Sequence, residues 1–432
     1  MFSRIPSLAV SALALTAGFS AALAQAPAPA APPPQQLGTP PQFMPALPDP
    51  KAMAARSKQN PNLTGTPPKT IATAANELPL AAMKVPAGFK VETFVSGVAN
   101  ARMMYMSPKG TLFVSTLRLG RVYAVKDPFG KKEVVTIAQG LTMPNGIAMK
   151  DGALIVVANS KVLRYDDIEN RLDNPPAPVD ISEKFRLPSD QSHGWRYIAF
   201  GPDGKLYIPV GANCNICELN PGIHGNIRRY DADGSNMEIV ARGVRNTVGF
   251  DWHPTTGELW FSDNGRDWAG NEGPDDELNR LPKGKEGAFF GYPYCHANGI
   301  PDPDIRKADP CAGVTLPAAT TGPHSASLGV KFYTGSMFPA KYRNVAFVAR
   351  HGSWNREQKF GYDIVTATPT ANGKAKIEPF LTGLLDTAKN EGVARPVAFL
   401  QLQDGSLLWS DDFNGAIYRI SYAGKPRTAM AQ

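Results

Sequence analysis

Short polar segments carry the side chains best suited to chemistry. His193 begins the segment HGWRY, and it is a candidate general base because the pKa of histidine lies close to neutral pH. The alternative is a histidine that only supports the fold. Arg245 and Asn246 are adjacent, and this pair could present fixed hydrogen-bond donors to an anionic or carbonyl group. A surface salt bridge is the alternative for Arg245.

The segments 263–267 (DNGRD) and 273–279 (GPDDELN) are rich in oxygen ligands. Carboxylates, amides and main-chain carbonyls exposed at glycine suit Ca²⁺, although acidic loops are also often simply solvated. His351 lies in the compact cluster HGSWNR, and Arg395 precedes another strand-like stretch. A planar, polyanionic ligand would suit this combination of arginines, a histidine, amides and a Ca²⁺ site.

These segments lie between copies of a recurring strand unit. In each copy a turn, usually with glycine, leads into alternating apolar residues, and a second strand follows. The copies occupy residues 106–125, 151–165, 200–230, 252–281, 342–365 and 404–420. Asp-Gly before β-branched and aromatic residues indicates a hairpin, and a period of about 40–60 residues is typical of propeller blades. The sequence therefore predicts an all-β, six-bladed β-propeller rather than a β-sandwich or an open solenoid, with its function in loops at one mouth of the channel.

The N-terminal sequence predicts an exported protein. A positively charged start, an apolar stretch and an Ala-Leu-Ala sequence have the form of a cleaved signal peptide over residues 1–24. Residues 25–77 are rich in Ala and Pro and predict a disordered leader, residues 78–424 the propeller, and residues 425–432 a C-terminal tail. We expect a periplasmic or secreted protein without a membrane span.

Cysteine usage and charge narrow the function classes. The cysteines form two close pairs, Cys214/Cys217 and Cys295/Cys311, and an oxidising compartment favours two loop-closing disulfides, although three pairings are possible. The CNIC motif has no thioredoxin-like βαβ pattern around it, which favours a structural disulfide over a redox motif. The net charge of +7 is scattered without a basic stripe, and this argues against nucleic-acid binding.

The ordered motifs resemble those of the quinoprotein sugar dehydrogenases, specifically the soluble glucose, aldose-sugar and L-sorbosone dehydrogenase group. The resemblance extends over about residues 85–423 and rests on HGWR before FGPDG, on RN, on DNGR with DELN, and on GAIYR. It implies a six-bladed propeller that binds pyrroloquinoline quinone and Ca²⁺ at its mouth. The implied reaction is oxidation of an aldose sugar or a sorbosone-like aldehyde or hemiacetal, with hydride transfer to the quinone and electrons leaving to a separate quinone or cytochrome acceptor.

The resemblance also implies residue roles. His193 would remove the proton of the sugar's anomeric hydroxyl, while Arg245 and Ca²⁺ would polarise a quinone carbonyl. The main-chain carbonyls of Gly265 and Arg266 would bind Ca²⁺. The other implied cofactor contacts are Asn145, Asn213, Asn246, Asp276, Arg395 and, in place of a lysine that glucose-type members carry in the fifth blade, His351 or Arg356.

Two other functions remain open from the sequence. A Ca²⁺-dependent propeller hydrolase, such as a lactonase, would need several carboxylate and asparagine ligands converging from different blades, and this chain offers more cations than that. A non-catalytic propeller that binds a carbohydrate or a protein would tolerate the replacement of His193 and Arg245.

Overall fold

The computed structural model describes residues 69–424 and, ahead of them, residues 60 and 62–63. The expected signal peptide, most of the leader and the C-terminal tail lie outside these residues. The described chain is almost entirely β-structure, with six main sheets arranged as the blades of a β-propeller, and the predicted fold is confirmed. No helix in residues 69–424 is long and apolar enough to cross a membrane.

Strands are numbered in chain order, and the first three blades follow that order. Blade 1 contains β2 (Met104–Met106), β3 (Leu112–Ser115), β4 (Val122–Lys126) and β5 (Glu133–Ala138). Blade 2 contains β6 (Gly146–Lys150), β7 (Ala153–Ala158), β8 (Lys161–Tyr165) and β9 (Val179–Asp180). Blade 3 contains β10 (Ala199–Phe200), β11 (Leu206–Val210), β12 (Asn226–Tyr230), β13 (Glu238–Arg242) and the added edge strand β17 (Ala288–Phe289).

The other three blades contain one insertion and the N-terminal strand. Blade 4 contains β14 (Phe250–Trp252), β15 (Leu259–Asp263), β16 (Asp275–Leu281) and β20 (Ala319–Pro323). Blade 5 contains β21 (Ser327–Phe332), β22 (Ala346–Arg350), β23 (Asp363–Pro369) and β24 (Ala375–Leu381). Blade 6 contains β27 (Pro396–Gln401), β28 (Leu407–Asp411), β29 (Ala416–Tyr422) and β1 (Phe89–Ser96).

The remaining elements are short. Two hairpins lie outside the blades, β18 (Cys295–His296) with β19 (Ile300–Pro301) and β25 (Leu385–Asp386) with β26 (Glu391–Gly392). The helical elements are α1 (Ser182–Phe185) and the 3-10 turns Ala75–Glu77, Leu80–Ala82, Ile168–Asn170 and Ala340–Tyr342.

The ring of blades closes because the N-terminal strand completes the last blade. β1 pairs antiparallel with β29, from Phe89 opposite Tyr422 to Ser96 opposite Ala416. Buried apolar clusters fill the space between each pair of neighbouring blades, including blades 6 and 1. A single blade cannot bury both of its faces, so each blade depends on both neighbours.

Around the central axis, the first strands of neighbouring blades approach backbone to backbone. A Cβ atom on Gly146 would lie 2.7 Å from the carbonyl oxygen of Arg196, and one on Gly329 would lie 2.5 Å from that of Val397. Serine hydroxyls at the ends of second strands also donate to carbonyls of the next blade, with Oγ–O distances of 2.6–2.7 Å for the pairs Ser115–Asn145, Ser262–Leu328 and Ser410–Arg102.

A long insertion in blade 4 explains the wide spacing between the fourth and fifth sequence units. It lies between β16 and β20 and contains the hairpin of β18 and β19 and the disulfide Cys295–Cys311. The second disulfide, Cys214–Cys217, lies between β11 and β12. The GPDDELN segment, expected to be part of a loop, instead forms most of β16, because it pairs with β15 on one side and with β20 on the other.

The crowded axis predicts a specific cost for one methyl group. Gly329→Ala should destabilise the fold by about 1–3 kcal/mol, because the new Cβ meets backbone atoms that cannot rotate away. Urea unfolding measures this loss, and Gly273→Ala is the matched control because nothing lies within 4 Å of its Cβ position. Equal stability of the two variants would contradict the proposed packing.

Candidate active site

The residues singled out in the sequence come together at one end of the channel, which we call the mouth. In each blade the first strand begins at the mouth and the second strand ends there, because the two strands are antiparallel. The segments leading into first strands contribute Arg102, Asn145, His193, Arg196, Arg245, Asn246 and Arg395. The ends of second strands, and the residues after them, contribute Ala212, Asp263, His351, Asp411 and Asp412.

A closed chain of hydrogen bonds, completed by the peptide links 263–264 and 326–327, connects all six blades around the mouth. Its donor–acceptor distances lie between 2.5 and 3.1 Å. In order, its members are Arg102, Asn145, Arg196, His193, Ala212, Arg245, Asp263, Asn264, Ser327, Ala326, His351 and Asp412. Because each member is held by its neighbours, the mouth is organised without a ligand.

His193 is held as a neutral base. Its Nδ1 lies 2.7 Å from the carbonyl oxygen of Ala212, and since a carbonyl only accepts, Nδ1 carries the proton and Nε2 keeps its lone pair. Burial and the positive charge of Arg245 hold the pKa of His193 well below its usual range, against the effect of the Ala212 carbonyl. The backbone φ of 49° places His193 in the left-handed region, a conformation that costs energy and is common at functional sites.

Arg245 is fixed by a set of acceptors at the mouth. Its Nε donates to the carbonyl of Asn215 at 2.9 Å, and its Nη2 donates to Asn215 Oδ1 at 2.8 Å and to Asp267 at 3.2 Å. Its Nη1 donates to the carbonyl of Asn264 at 3.1 Å. A guanidinium has five N–H donors, so within residues 69–424 these bonds leave one Nη1–H for a ligand.

Three buried carboxyl groups support the acidic segment. Asp263 accepts the backbone N–H groups of Arg245 and Asn246, and burial raises the pKa of Asp263 to about 7. Glu277 lies opposite Asp263 in the β15–β16 pair, and burial together with that neighbouring charge raises the pKa of Glu277 to about 8. Asp276 accepts Gly265 N at 2.7 Å, and burial raises its pKa as well. Glu277 is therefore largely neutral at pH 7.

A cationic cluster joins blades 6 and 1. Arg102 donates to Asn145 at 3.0 Å and to Asp412 at 2.9 Å, and His351 Nε2 lies 2.8 Å from the other Asp412 oxygen. Burial, followed by the charge of Arg395, lowers the pKa of His351 to about 4, so His351 is neutral and donates through Nε2. Burial favours a neutral Asp412, but His351, Arg102 and Arg395 outweigh it and hold the pKa of Asp412 below its usual range.

The other candidate residues occupy different positions around the mouth. Asn145 uses both ends of its amide, accepting from Arg102 and donating to the carbonyl of Arg196 at 3.1 Å, so it acts as a bridge. Asn213 is exposed beside Cys217. Arg356 lies outside the hydrogen-bonded chain, since its guanidinium donates to the main chain of Asn271 and Gln358 and to Glu272.

Gly265 and Arg266, the expected Ca²⁺ ligands, lie between β15 and β16. The guanidinium of Arg266 donates to Asp302 at 2.9 Å and to Asp304 at 2.8 Å, which fixes the segment against the inserted loop. In the described part of the chain, no group of three or more His, Cys, Asp or Glu side chains is arranged to hold a metal ion. The expected Ca²⁺ ligands are main-chain carbonyls, and this finding concerns side chains alone.

Several residues of the site were missed in the sequence. Arg102 and Asp412 form the buried ion pair between blades 1 and 6, and Asn215 binds Arg245. The repeated Ser-Asp at the ends of β15 and β28 was the available signal for Asp411 and for the role of Asp263, whose segment the sequence had offered only as a source of Ca²⁺ ligands. In both copies the serine crosses to the next blade and the aspartate, Asp263 or Asp411, accepts the backbone N–H of the arginine before the first strand.

Solved structures that share this fold include sugar dehydrogenases and family AA12 proteins. The calcium structure of the Trichoderma reesei family AA12 protein has a TM-score of 0.68 at 19% identity, covering 81% of this chain and 99% of that one. The holo form of the pyrroloquinoline quinone domain of Coprinopsis cinerea pyranose dehydrogenase has a TM-score of 0.62 at 21% identity, covering 78% and 97%. The resemblance predicted from the sequence is confirmed.

The TrAA12-like family model matches residues 83–423, and the chain belongs to this family. An uncharacterized protein of Borreliella burgdorferi is 33% identical over 365 residues, which cover 82% of this chain and 94% of that protein. The pyrroloquinoline quinone-dependent pyranose dehydrogenase of Coprinopsis cinerea is 22% identical over 413 residues, covering 80% of this chain and 55% of that enzyme. The chain thus matches about half the length of that dehydrogenase.

The buried carboxyl pair predicts a pH-dependent stability. In the folded protein the pKa of Glu277 is about 8, whereas in the unfolded chain it is about 4.3. Between these pH values the unfolded chain releases the proton and the folded protein retains it. The free energy of unfolding therefore falls as the pH rises. Glu277→Gln removes this titration, and its Oε1 can keep the bond from Ala297 N. If the Asn279 amide turns over, the new Nε2 can donate to Asn279 Oδ1, which has no hydrogen-bond partner within residues 69–424.

We expect Glu277→Gln to match the parent protein near pH 4.5 and to exceed its stability by more than about 1 kcal/mol at pH 8. Denaturant unfolding across this pH range measures the difference. Glu391→Gln, at an exposed position, is the control and should give a flat difference. A flat difference for Glu277→Gln as well would show that Glu277 is ionised in the fold.

Proposed function

We propose that the protein is a periplasmic or secreted quinoprotein dehydrogenase that oxidises an aldose sugar or a sorbosone-like aldehyde or hemiacetal. The observation that carries the proposal is a neutral, oriented His193 in a mouth rich in buried arginines. Pyrroloquinoline quinone, when bound, would supply the acceptor for the hydride that leaves the sugar carbon. The names of the relatives support this cofactor, and the two disulfides are compatible with export.

The charge of the mouth fits a polyanionic cofactor. Arg102, Arg196 and Arg395 are all buried, and Arg196 Nε has no hydrogen-bond partner within residues 69–424. Buried positive charge is costly unless an anion compensates it. Asp412 stays ionised and pairs with Arg102, whereas burial raises the pKa of Asp411 to about 6. Arg102 and Arg395, with Arg118 at the rim, would hold the carboxylates of the quinone.

His193 and Arg245 would carry the chemistry of the chain itself. His193 would accept the proton of the sugar hydroxyl at Nε2, while the bond from Nδ1 to Ala212 keeps the ring in place. Arg245 would direct its remaining Nη1–H at a ligand oxygen, where a fixed donor stabilises developing negative charge. Asn246 would contribute a second donor through Nδ2, which now contacts Asn264 at 3.4 Å.

Ca²⁺ would bind at the main-chain carbonyls of Gly265 and Arg266. Oxygen ligands suit this ion, and both residues are anchored, Gly265 through Asp276 and Arg266 through Asp302. The ion would add positive charge beside Arg245 and favour binding of an anionic cofactor. The described chain carries no haem motif, so a separate carrier would accept the electrons.

The alternatives make different demands on these residues. In a Ca²⁺-dependent hydrolase, carboxylates from several blades would converge on the ion, but Asp263 and Asp411 are instead engaged by backbone N–H groups of their own blades. A non-catalytic binding protein would not require a neutral histidine with an oriented Nε2.

His193→Gln should abolish turnover while the quinone still binds. Loss of a general base typically costs about 10²–10⁴-fold in kcat. The parent protein is loaded with pyrroloquinoline quinone and Ca²⁺ and assayed with an aldose or sorbosone and a dye acceptor, while calorimetry reports cofactor binding. Because the pKa of His193 is lowered, the parent rate should persist below pH 6.5 and fall only as His193 becomes protonated.

Absence of quinone binding by the parent protein would overturn the proposed function. Turnover by His193→Gln at the parent rate would instead remove His193 from its role as base and leave the cofactor assignment intact.

Arg118→Gln should weaken quinone binding. The side chain of Arg118 lies at the rim and is partly in contact with solvent. Partial burial lowers the pKa of Arg118, the charge of Asp412 raises it and the charge of Arg395 lowers it. Arg118 therefore belongs to the same cationic cluster. We expect a loss of affinity of about tenfold that decreases at high salt. Lys131→Gln, an exposed site in the same blade, is the charge-matched control. Equal affinities of both variants would contradict the assignment.

A further inference from the structure

We propose that Asn215 is a positioning residue for Arg245, and that the Cys214–Cys217 disulfide holds Asn215 in place for this role. Asn215 lies inside the four-residue ring that the disulfide closes. The proposal concerns the arginine of the proposed active site and rests on that function for its catalytic consequence. The positioning itself is a property of the protein without its cofactor.

Asn215 binds both Arg245 and the acidic segment. Its carbonyl and Oδ1 accept from Arg245 at 2.9 and 2.8 Å, which fixes the guanidinium at two points. The same Oδ1 accepts the backbone N–H of Asp267 at 2.8 Å, and Nδ2 donates to the Asp267 carbonyl at 3.0 Å. Asp267 in turn pairs with Arg245 at 3.2 Å. One buried asparagine therefore sets the relative position of the arginine and the segment that contains Gly265 and Arg266.

The conformation of Asn215 depends on covalent closure and on one tyrosine. An isolated loop of this kind has no strand ladder to fix it, and the disulfide removes most of its freedom. Tyr292 donates its hydroxyl to the Asn215 carbonyl at 3.2 Å and accepts Cys217 N at 3.3 Å. Burial raises the pKa of Tyr292 to about 12, so its hydroxyl stays protonated and able to donate.

The main chain of Arg245 and the ring of His193 are connected through one residue, Ala212. Ala212 N donates to the Arg245 carbonyl at 2.8 Å, and the Ala212 carbonyl accepts from His193. The charged neighbours of His193 are Arg245 and Arg196, and both lower its pKa. His224, whose Nδ1 contacts the carbonyl of Gly211 beside Ala212, pairs with Asp190 at 3.3 Å. Release of Arg245 should therefore raise the pKa of His193 towards its ordinary value.

The test is the pKa of His193 in cofactor-free protein, followed by NMR with labelled histidine and assigned through His193→Gln. We expect this pKa to rise by about half a unit or more in each of two variants, Asn215→Ala and the double variant Cys214→Ser with Cys217→Ser. Asn372→Ala is the matched control, because its side chain also accepts a backbone N–H but in an exposed turn of blade 5. A merely structural loss would lower the melting temperature and leave the pKa of His193 unchanged.

Two further results separate this proposal from the proposed function. If Asn215→Ala does not fold, the double variant Cys214→Ser with Cys217→Ser provides the test. If either variant folds and the pKa of His193 equals that of the parent protein, the positioning role is wrong. With active enzyme, Asn215→Ala should lower kcat more than it changes KM for the sugar. If the parent protein binds no quinone but the pKa of His193 shifts as expected, the function fails and the positioning role holds.

Discussion

The pairing of β1 with β29 closes the ring of six blades. Each blade buries its faces only against its neighbours, so an open ring would expose the apolar sides of blades 6 and 1. Closure also brings together residues far apart in the chain. Arg102 and Asp412 form a buried ion pair between blades 1 and 6, and a buried pair with one partner removed leaves an uncompensated charge. The mouth is therefore complete only in the closed ring.

The electrostatic character of the mouth follows from how differently burial acts on acids and arginines. Burial raises the pKa values of Asp263 and Glu277 into the neutral range, so these acids carry only part of their charge at pH 7. Arginines keep their charge even when buried, because their ordinary pKa is far above neutral pH. The result is an excess of fixed positive charge around a histidine that stays neutral. Such a mouth attracts an anion and still offers a base.

The sequence was sufficient for the fold and for part of the site. Six hairpin units predicted six blades, and residues before first strands, such as His193 and Arg245, lie at the mouth as the strand geometry requires. Arg102 also lies shortly before a first strand, two residues ahead of β2, but no local pattern pairs it with a carboxylate 310 residues away. The role of Asn215 could not be predicted from the sequence for another reason. It depends on the conformation of a loop that a disulfide closes and that Tyr292, in the insertion of blade 4, contacts.

The two disulfides stabilise the part of the mouth that the sheets cannot. The backbone between β15 and β16 has no ladder of its own, yet it contains Gly265, Arg266 and Asp267. One disulfide loop holds Asp267 through Asn215, and the loop closed by Cys295–Cys311 holds Arg266 through Asp302. Cross-linked loops lose little further entropy when they bind, so they can fix an irregular segment that short hydrogen bonds alone would leave mobile. Both disulfides therefore contribute to the order of the same irregular segment, each through one buried residue.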